Sequence, residues 1–399
     1  MAGEKRLFKL VRFMLIISGL WPLEIPNISK CKQILYEIYY VVAHMIYLTS
    51  PIAFGGALIS DYGTKEAQAL EDFSRMVFVI LIIFKLKIIR STKMKNMINM
   101  VTSEEMNIIK SKDRIIRNIY QFHVNYCTKM VFCIVVFLYA AGLINMFNGF
   151  LELYKWDKAM EFTNKTTIKP HIIPFWFPFD EEKHYILAVT YQIVHIYQTL
   201  AINGAVQALI NSVMVFLRAN LKILQHRIRN FDEFDIDDVH VINHANYAEK
   251  NLSEIVLRHQ KLIHWVKDLN ESFRNILLLE YSVTSLQLAT TLVQIIELVH
   301  IPFNGTFFLH CFLQLFGIAW NANEILLESS NGLLEALYES NWYNHKKKIS
   351  FTIYFMMMRC QKPLEMRIGP LGTMDLNAAV SRAKFAYTCL SVLQVTTKQ

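Results

Sequence analysis

Residues that break chain regularity are scarce: the 399 residues include only 13 glycines and 9 prolines. No stretch is rich enough in them to form a flexible linker, and no repeat or low-complexity tract divides the chain. This excludes a string of separate soluble domains. Charge is scarce as well, with Asp, Glu, Lys and Arg at 19% of the sequence, below the usage of ordinary soluble domains. The six cysteines (Cys31, Cys127, Cys133, Cys311, Cys360 and Cys389) form no CxxC pair and fall in or beside apolar segments. That spacing excludes a zinc ribbon and a secreted disulfide framework, leaving ordinary buried thiols. Also missing are a phosphate-binding P-loop, a dinucleotide fingerprint and a nucleophile elbow, so no cofactor and no catalytic residue is implied.

What is abundant is apolar surface, at 53% of residues. The net charge of +8 could suit nucleic acid, but the basic residues flank apolar runs instead of forming a stripe among exposed aromatics. Lipid headgroups fit that placement, and no nucleic-acid partner is expected. The N-terminus sets Lys5, Arg6, Lys9 and Arg12 among Leu7, Leu10, Val11, Phe13, Leu15 and Ile16. Arg12 interrupts the apolar part, and Trp21-Pro22 stands where a signal peptide would have small residues. Residues 1–33 are therefore read as a retained amphipathic segment on the inner membrane surface.

A membrane crossing needs about 20 mostly apolar residues in helix, because lipid satisfies no free backbone group. Six stretches qualify: 34–59, 72–90, 129–150, 184–212, 275–300 and 303–327. A seventh, 372–395, is less apolar because it carries Asp375, Arg382 and Lys384. The expected fold is all-α, with seven transmembrane helices. Most Lys and Arg then collect on one side; Lys65 alone sits in the first loop of the other side, and none lies between Val299 and Phe303. This bias places the N-terminus inside and the C-terminus outside, opposite to a G-protein-coupled receptor. Asp113-Arg114-Ile115 superficially matches a motif of those receptors but lies between the second and third spans, and reads as an exposed helix pair. Of five Asn-x-Ser/Thr sites, the topology puts only Asn164 and Asn304 outside. Asn304 is too near the bilayer, so Asn164 is the expected glycosylation site.

The last 80 residues carry a more specific pattern. Glu328-Ser329-Ser330, Ala336-Leu337-Tyr338, Asn341-Trp342-Tyr343, Arg359-Cys360-Gln361-Lys362-Pro363 and Ala386-Tyr387-Thr388 follow in order. This series resembles the C-terminal signature of the insect odorant receptor family, and the seven-span layout extends the resemblance over the whole chain. The long intracellular insertion of the universal co-receptor of that family is absent, and the ending Leu390-Ser391-Val392-Leu393-Gln394-Val395 differs from it. The chain thus resembles an odour-specific tuning subunit.

The resemblance implies a tetrameric, ligand-gated, non-selective cation channel formed with the co-receptor in the plasma membrane of olfactory neuron dendrites. Its partners would be volatile odorants, lipid and permeant cations. Residues 34–327 would form the ligand-sensing bundle and 328–371 a cytoplasmic helical anchor, with 372–399 a pore-lining helix and short outer tail. Leu390 and Leu393, a helical turn apart, either close the pore as apolar rings or pack against neighbouring helices; Gln394 would add a polar ring. Tyr338, Trp342, Tyr343, Gln361, Lys362 and Pro363 would hold subunits together. The segment Ile349–Phe355 has the composition of a strand, but the family fold implies helix there.

By the same analogy the odour pocket lies within the membrane among the second to sixth helices, towards the outer side. Its candidates are Val79, Ile83, Tyr139, Gly142, Tyr191, His195, Phe308 and Phe312, with Tyr191 and His195 sharing a face at i and i+4. The alternative for each, and the commoner role for such residues, is core packing. A volatile of roughly 12 heavy atoms at about 0.5 kcal/mol each would bind with a dissociation constant of tens of micromolar.

An insect gustatory receptor shares this topology, but its final Thr-Tyr-x-x-x-x-Gln-Phe pattern is not met. A transporter or membrane enzyme would call for paired carboxylates or broken helices, and the spans offer only isolated charges such as Glu280 and Glu297. His240 and His244, with Asp237 and Asp238 nearby, lack the Glu of a zinc-protease helix and read as a solvated acidic face.

Overall fold

The computed structural model describes residues 6–22, 29–62, 66–162, 169–232, 244–298 and 300–397. Among these there is no β-strand, only an isolated bridge between Arg367 and Thr373. The helices are α1 (Leu7–Ile17), α2 (Lys30–Leu48), α3 (Ser50–Asp61), α4 (Glu66–Ile89), α5 (Thr92–Ile109) and α6 (Arg114–Phe162). They continue with α7 (Tyr185–Arg229), α8 (His244–Ile296), α9 (Ile301–Leu327), α10 (Leu333–Glu339), α11 (Lys347–Cys360) and α12 (Leu376–Thr397).

By length and composition, five described segments suffice to cross a membrane: Lys30–Asp61, Arg114–Met160, Tyr185–Arg229, Tyr247–Ile296 and Ile301–Glu339. The first joins α2 and α3 across a break at Thr49, where Pro51 opens α3 in the one turn that tolerates a missing N–H. The other two expected spans are α4 and α12, whose lysines and arginines lower their hydropathy. All seven expected crossings fall on helices.

The bundle buries an apolar core and exposes apolar side chains outward as well. In its most apolar stretch α7 is 94% buried, whereas α6 is 28% buried, so α7 is the axle of the bundle and α6 part of its rim. The exposed apolar side chains of α2 (Ile34, Ile38, Val41, Met45) and α6 (Phe132, Val136, Leu143, Phe147) form the lipid-facing surface. The inner face of α7 instead carries Asn203, Gln207 and Asn211, all buried at i, i+4 and i+8.

At 53 residues, α8 is about 80 Å long, well over the ~30 Å of hydrocarbon. The far ends of α6, α7 and α8 therefore leave the membrane together, and α5, α10 and α11 pack around them. Ser91 caps α5 by accepting from Met94 N at 3.3 Å. Asp113, expected in an exposed helix pair, instead caps α6: one carboxylate oxygen accepts from Ile115 N at 2.7 Å and the other meets His226 Nε2 at 3.1 Å. Partial burial raises the Asp113 pKa, but these hydrogen bonds outweigh it and hold the carboxyl below its ordinary value.

α1 turns its apolar face onto protein. Leu7, Phe8, Val11 and Leu15 are buried, and the Met14 methyl lies 3.2 Å from where a Cβ would sit on Gly204 in the apolar part of α7. Its free N-terminal N–H, at Leu7, donates to Glu105 Oε1 at 2.6 Å, and the Tyr120 hydroxyl donates to the same oxygen at 2.8 Å. Before α12 the chain turns tightly, with Gly369 and Gly372 at φ of 51° and 109°, values that L side chains rarely adopt. Asn270 of α8 anchors this turn by bonding Glu365 O at 2.7 Å and Arg367 N at 2.9 Å.

Candidate functional site

The eight residues expected to line an odour pocket fall at separate helix contacts. Val79 is buried on α4 and Ile83 half-buried one turn on. Gly142 lets α6 approach α7 closely, since a Cβ there would stand 2.6 Å from Leu200 Cδ1. The half-buried Tyr139 ring passes 3.9 Å from the corresponding point on Gly204. On α9, Phe308 and Phe312 begin a stacked ladder that ends on Phe316, with centroids 6.5 and 4.2 Å apart.

Tyr191 and His195 do come together, with partners that the sequence did not reveal. The Tyr191 hydroxyl lies 2.6 Å from Thr49 Oγ1, and His195 Nδ1 lies 2.8 Å from Ser50 Oγ, so α7 grips the break between α2 and α3. Tyr47 stacks on the His195 ring at 5.0 Å, while Phe54 and Phe175 present their edges to it. Phe175 belongs to residues 169–184, which fold back over this end of the bundle. Gln192 Oε1 accepts from Ile172 N and Ile173 N, Trp176 N donates to Ala53 O at 3.0 Å, and His171 Nε2 lies 2.9 Å from Glu181 Oε2. The result is an aromatic, weakly polar cluster under a tethered strap.

Deeper in the bundle lies a second feature. Glu280, expected as an isolated charge, is paired with Lys85 of α4, Nζ to Oε2 at 2.5 Å, with the two side chains 2% and 0% exposed. The sequence held two hints, a lysine inside an otherwise apolar span and the amides of α7, but the pairing needs the fold. Glu297 is exposed.

Residues 66–387 match the protein-family model described as 7tm Odorant receptor. The chain belongs to the odorant receptor family. Among curated relatives, Odorant receptor Or2 of Anopheles gambiae is 25% identical over 36% of this chain and 38% of its own length. Odorant receptor 33b of Drosophila melanogaster is 23% identical over 54% of this chain and 57% of its own. The chain thus spans between about a third and somewhat over half of the curated relatives it matches. The solved insect olfactory receptor OR5 from Machilis hrabei superposes with a TM-score of 0.79 at 17% identity, covering 97% of both chains. Its complex with eugenol superposes equally well. The fold is therefore the seven-transmembrane odorant receptor fold, and the protein is a multi-pass membrane protein of a receptor family, not an enzyme family.

In this family member the signature residues of the last 80 positions, apart from Ala386-Tyr387-Thr388 in α12, sit around a π-helical turn, Glu328–Gly332, and the two helices that follow. Ser329 Oγ accepts from Leu364 N at 2.9 Å, fastening the residue after Pro363 to that turn. Trp342 packs on the core and meets Tyr343 edge-on at 6.2 Å; Tyr338, Tyr343, Gln361 and Lys362 are exposed, and Pro363 is half-buried. Residues Ile349–Phe355 lie within α11, as helix.

An open cleft of about 830 Å³ lies at this end, lined in part by Phe122, His123, Lys222, Gln225, Glu328 and Gly332, far from the eight pocket candidates. Two of its charges are paired with each other, Lys222 with Glu328 at 2.7 Å, and others reach outside it, Arg229 to Glu339 at 2.5 Å, so size alone does not make it the odour site. The backbone at Leu390, Leu393 and Gln394 is helical in α12, but their side chains lie outside the described residues, as do Asn164, Asp237, Asp238 and His240. The described residues hold no group of three or more metal-ligating side chains.

Proposed function

We propose that this chain is the odour-binding, tuning subunit of a ligand-gated, non-selective cation channel that it forms with a co-receptor. The observation that carries the reading is the odorant receptor match over residues 66–387. The orientation follows the positive charge bias, with N-terminus inside and C-terminus outside, which makes residues 328–371 a cytoplasmic anchor and puts Asn164 in an outer loop. The location is the plasma membrane of an olfactory neuron dendrite.

A volatile molecule binds near Tyr191 and His195, where the strap residues 169–184 and the α2–α3 break converge. Val79, Ile83, Tyr139, Gly142, Phe308 and Phe312 surround the neighbouring helix contacts from which the pocket opens. The ligand opens the channel only by as much as it prefers the open arrangement. Conduction passes along α12, where Leu390 and Leu393 close the path and Gln394 adds a polar ring. Exposed Phe351, Tyr354 and Phe355 on α11, with Tyr338 and Tyr343, supply the apolar surface on which subunits assemble.

The test is whole-cell current in cells expressing this chain with and without an insect co-receptor under a panel of volatiles. An odour-evoked cation current that needs both chains supports the proposal. Silence across the panel, with the chain shown at the cell surface, contradicts it.

A further inference from the structure

An ionised side chain within a membrane-embedded bundle is costly, and one that persists there marks a function. Lys85 and Glu280 are such a pair, and their surroundings join four helices. Asn203 Oδ1 of α7 accepts from Lys85 Nζ at 2.9 Å. Gln207 Nε2 of α7 donates to Glu280 Oε1 at 2.5 Å, and Gln314 Nε2 of α9 donates to the same oxygen. Stability alone does not explain this arrangement, because apolar side chains of similar volume generally replace a buried ion pair without loss. An ion pair does give a contact that depends steeply on distance and geometry, which is what a two-position joint needs.

The location fits a joint. Lys85 extends the buried face of α4 made by Leu81, Ile82 and Ile89, one to two turns from Val79. On α8, the residue after Glu280 is the buried Tyr281, and α12 packs along α8. The amide shell also holds unused capacity. Asn203 Nδ2 and Gln207 Oε1, on side chains each 1% exposed, have no hydrogen-bond partner among the described residues. A donor and an acceptor are thus free to complete a different set of bonds when the helices shift.

We propose that the Lys85–Glu280 pair is a latch that couples α4 to α8, and through α8 to α12, and holds the channel closed until a bound ligand displaces α4. Both are positioning residues, acting through the helices they join. The inference rests on the channel reading above. In cells co-expressing the co-receptor, wild type is compared with Glu280→Gln, the double variant Lys85→Met/Glu280→Gln and the exchange Lys85→Glu/Glu280→Lys. Basal current and half-maximal odour concentration are normalised to surface-labelled receptor.

The double variant leaves no unpaired charge and keeps an amide for Gln207 and Gln314, so it folds. Its basal current rises and its half-maximal concentration falls by about tenfold, the size of an ordinary coupling between sites. The exchange variant moves both values back towards wild type. A double variant with wild-type gating at the surface overturns the latch, as does an exchange variant that gates like Glu280→Gln. If the double variant is retained inside the cell, the exchange variant decides: at the surface, wild-type-like gating upholds the latch and altered gating overturns it. Absence of wild-type odour current removes the channel reading itself, whereas wild-type current with unchanged variants removes only the latch.

Discussion

His195 Nδ1 stands 2.8 Å from Ser50 Oγ, and one turn earlier on α7 the Tyr191 hydroxyl stands 2.6 Å from Thr49 Oγ1. These two contacts tie α7 to the break between α2 and α3 while aromatic rings close around them. His195→Phe and Tyr191→Phe keep the packing and remove the hydrogen bonds of one ring each, to Ser50 and Thr199 or to Thr49 and Ser50. Each is expected to change the half-maximal concentration of an oxygen-bearing odorant about two- to tenfold, the equivalent of ~0.5–1.5 kcal/mol. A purely hydrocarbon odorant shifts less. Dose–response curves for the two ligand types check this, and equal shifts for both would contradict a polar role.

The strap over this cluster depends on a close approach at α3. A Cβ on Gly56 would stand 2.6 Å from Trp176 Cβ and Cγ, atoms with little freedom to retreat. Gly56→Val is therefore expected to destabilise the folded receptor by about 1–3 kcal/mol through overpacking. The check is the thermal unfolding midpoint of purified protein, read by tryptophan fluorescence. An unchanged midpoint would mean that residues 169–184 do not lie on α3.

Glu105 gives a pH dependence outside the membrane spans. Burial raises its pKa above the ordinary glutamate value, only partly opposed by the hydrogen bonds from Tyr120 and Leu7 N. A raised carboxyl favours the protonated form in the folded state. Its contribution to stability is present in full below the ordinary glutamate pKa and is lost as pH rises through the folded value. Glu105→Gln keeps an acceptor oxygen without the charge, so the variant should gain stability relative to wild type as pH rises from 4 to 7. Thermal midpoints across that range test the sign, and a gap that closes with rising pH would contradict it.

The aromatic face of α11 yields an assembly prediction. Phe351, Tyr354 and Phe355 lie on one helical face and are exposed in the single chain. Tyr354→Glu with Phe355→Glu is expected to abolish co-purification with the co-receptor without lowering the thermal midpoint of the isolated chain. Retained co-purification would remove α11 from the interface.

The sequence was legible where one physical rule dominates a local stretch. The seven crossings follow from apolar length, and even α4 and α12, with Lys85 and Arg382 inside them, stood out against polar flanks. That α11 is a helix was legible only through resemblance, because Ile349–Phe355 mixes β-branched and aromatic residues that suit a strand equally well. Non-local pairing stayed hidden. Glu280 looked solitary because its counter-charge is on α4, far away in the chain, and Ser50 gave no sign that it faces His195. The strap was equally silent, since Phe175-Trp176-Phe177 has the composition of any membrane-interface loop until Trp176 N is seen donating to Ala53 O. Asp113 was misread for a related reason: its capping role depends on the chain entering a helix at Arg114, a boundary that sequence marks poorly.

The central claim, that this chain contributes its own last helix to an odour-gated pore, is tested most directly by a thiol probe of that helix. Leu393→Cys is expressed with the co-receptor, and a charged, membrane-impermeant methanethiosulfonate is applied from outside with and without odour. The account predicts that the reagent reduces odour-evoked current irreversibly, and faster while odour holds the path open. Current that persists unchanged after the new cysteine has been shown to react would contradict it.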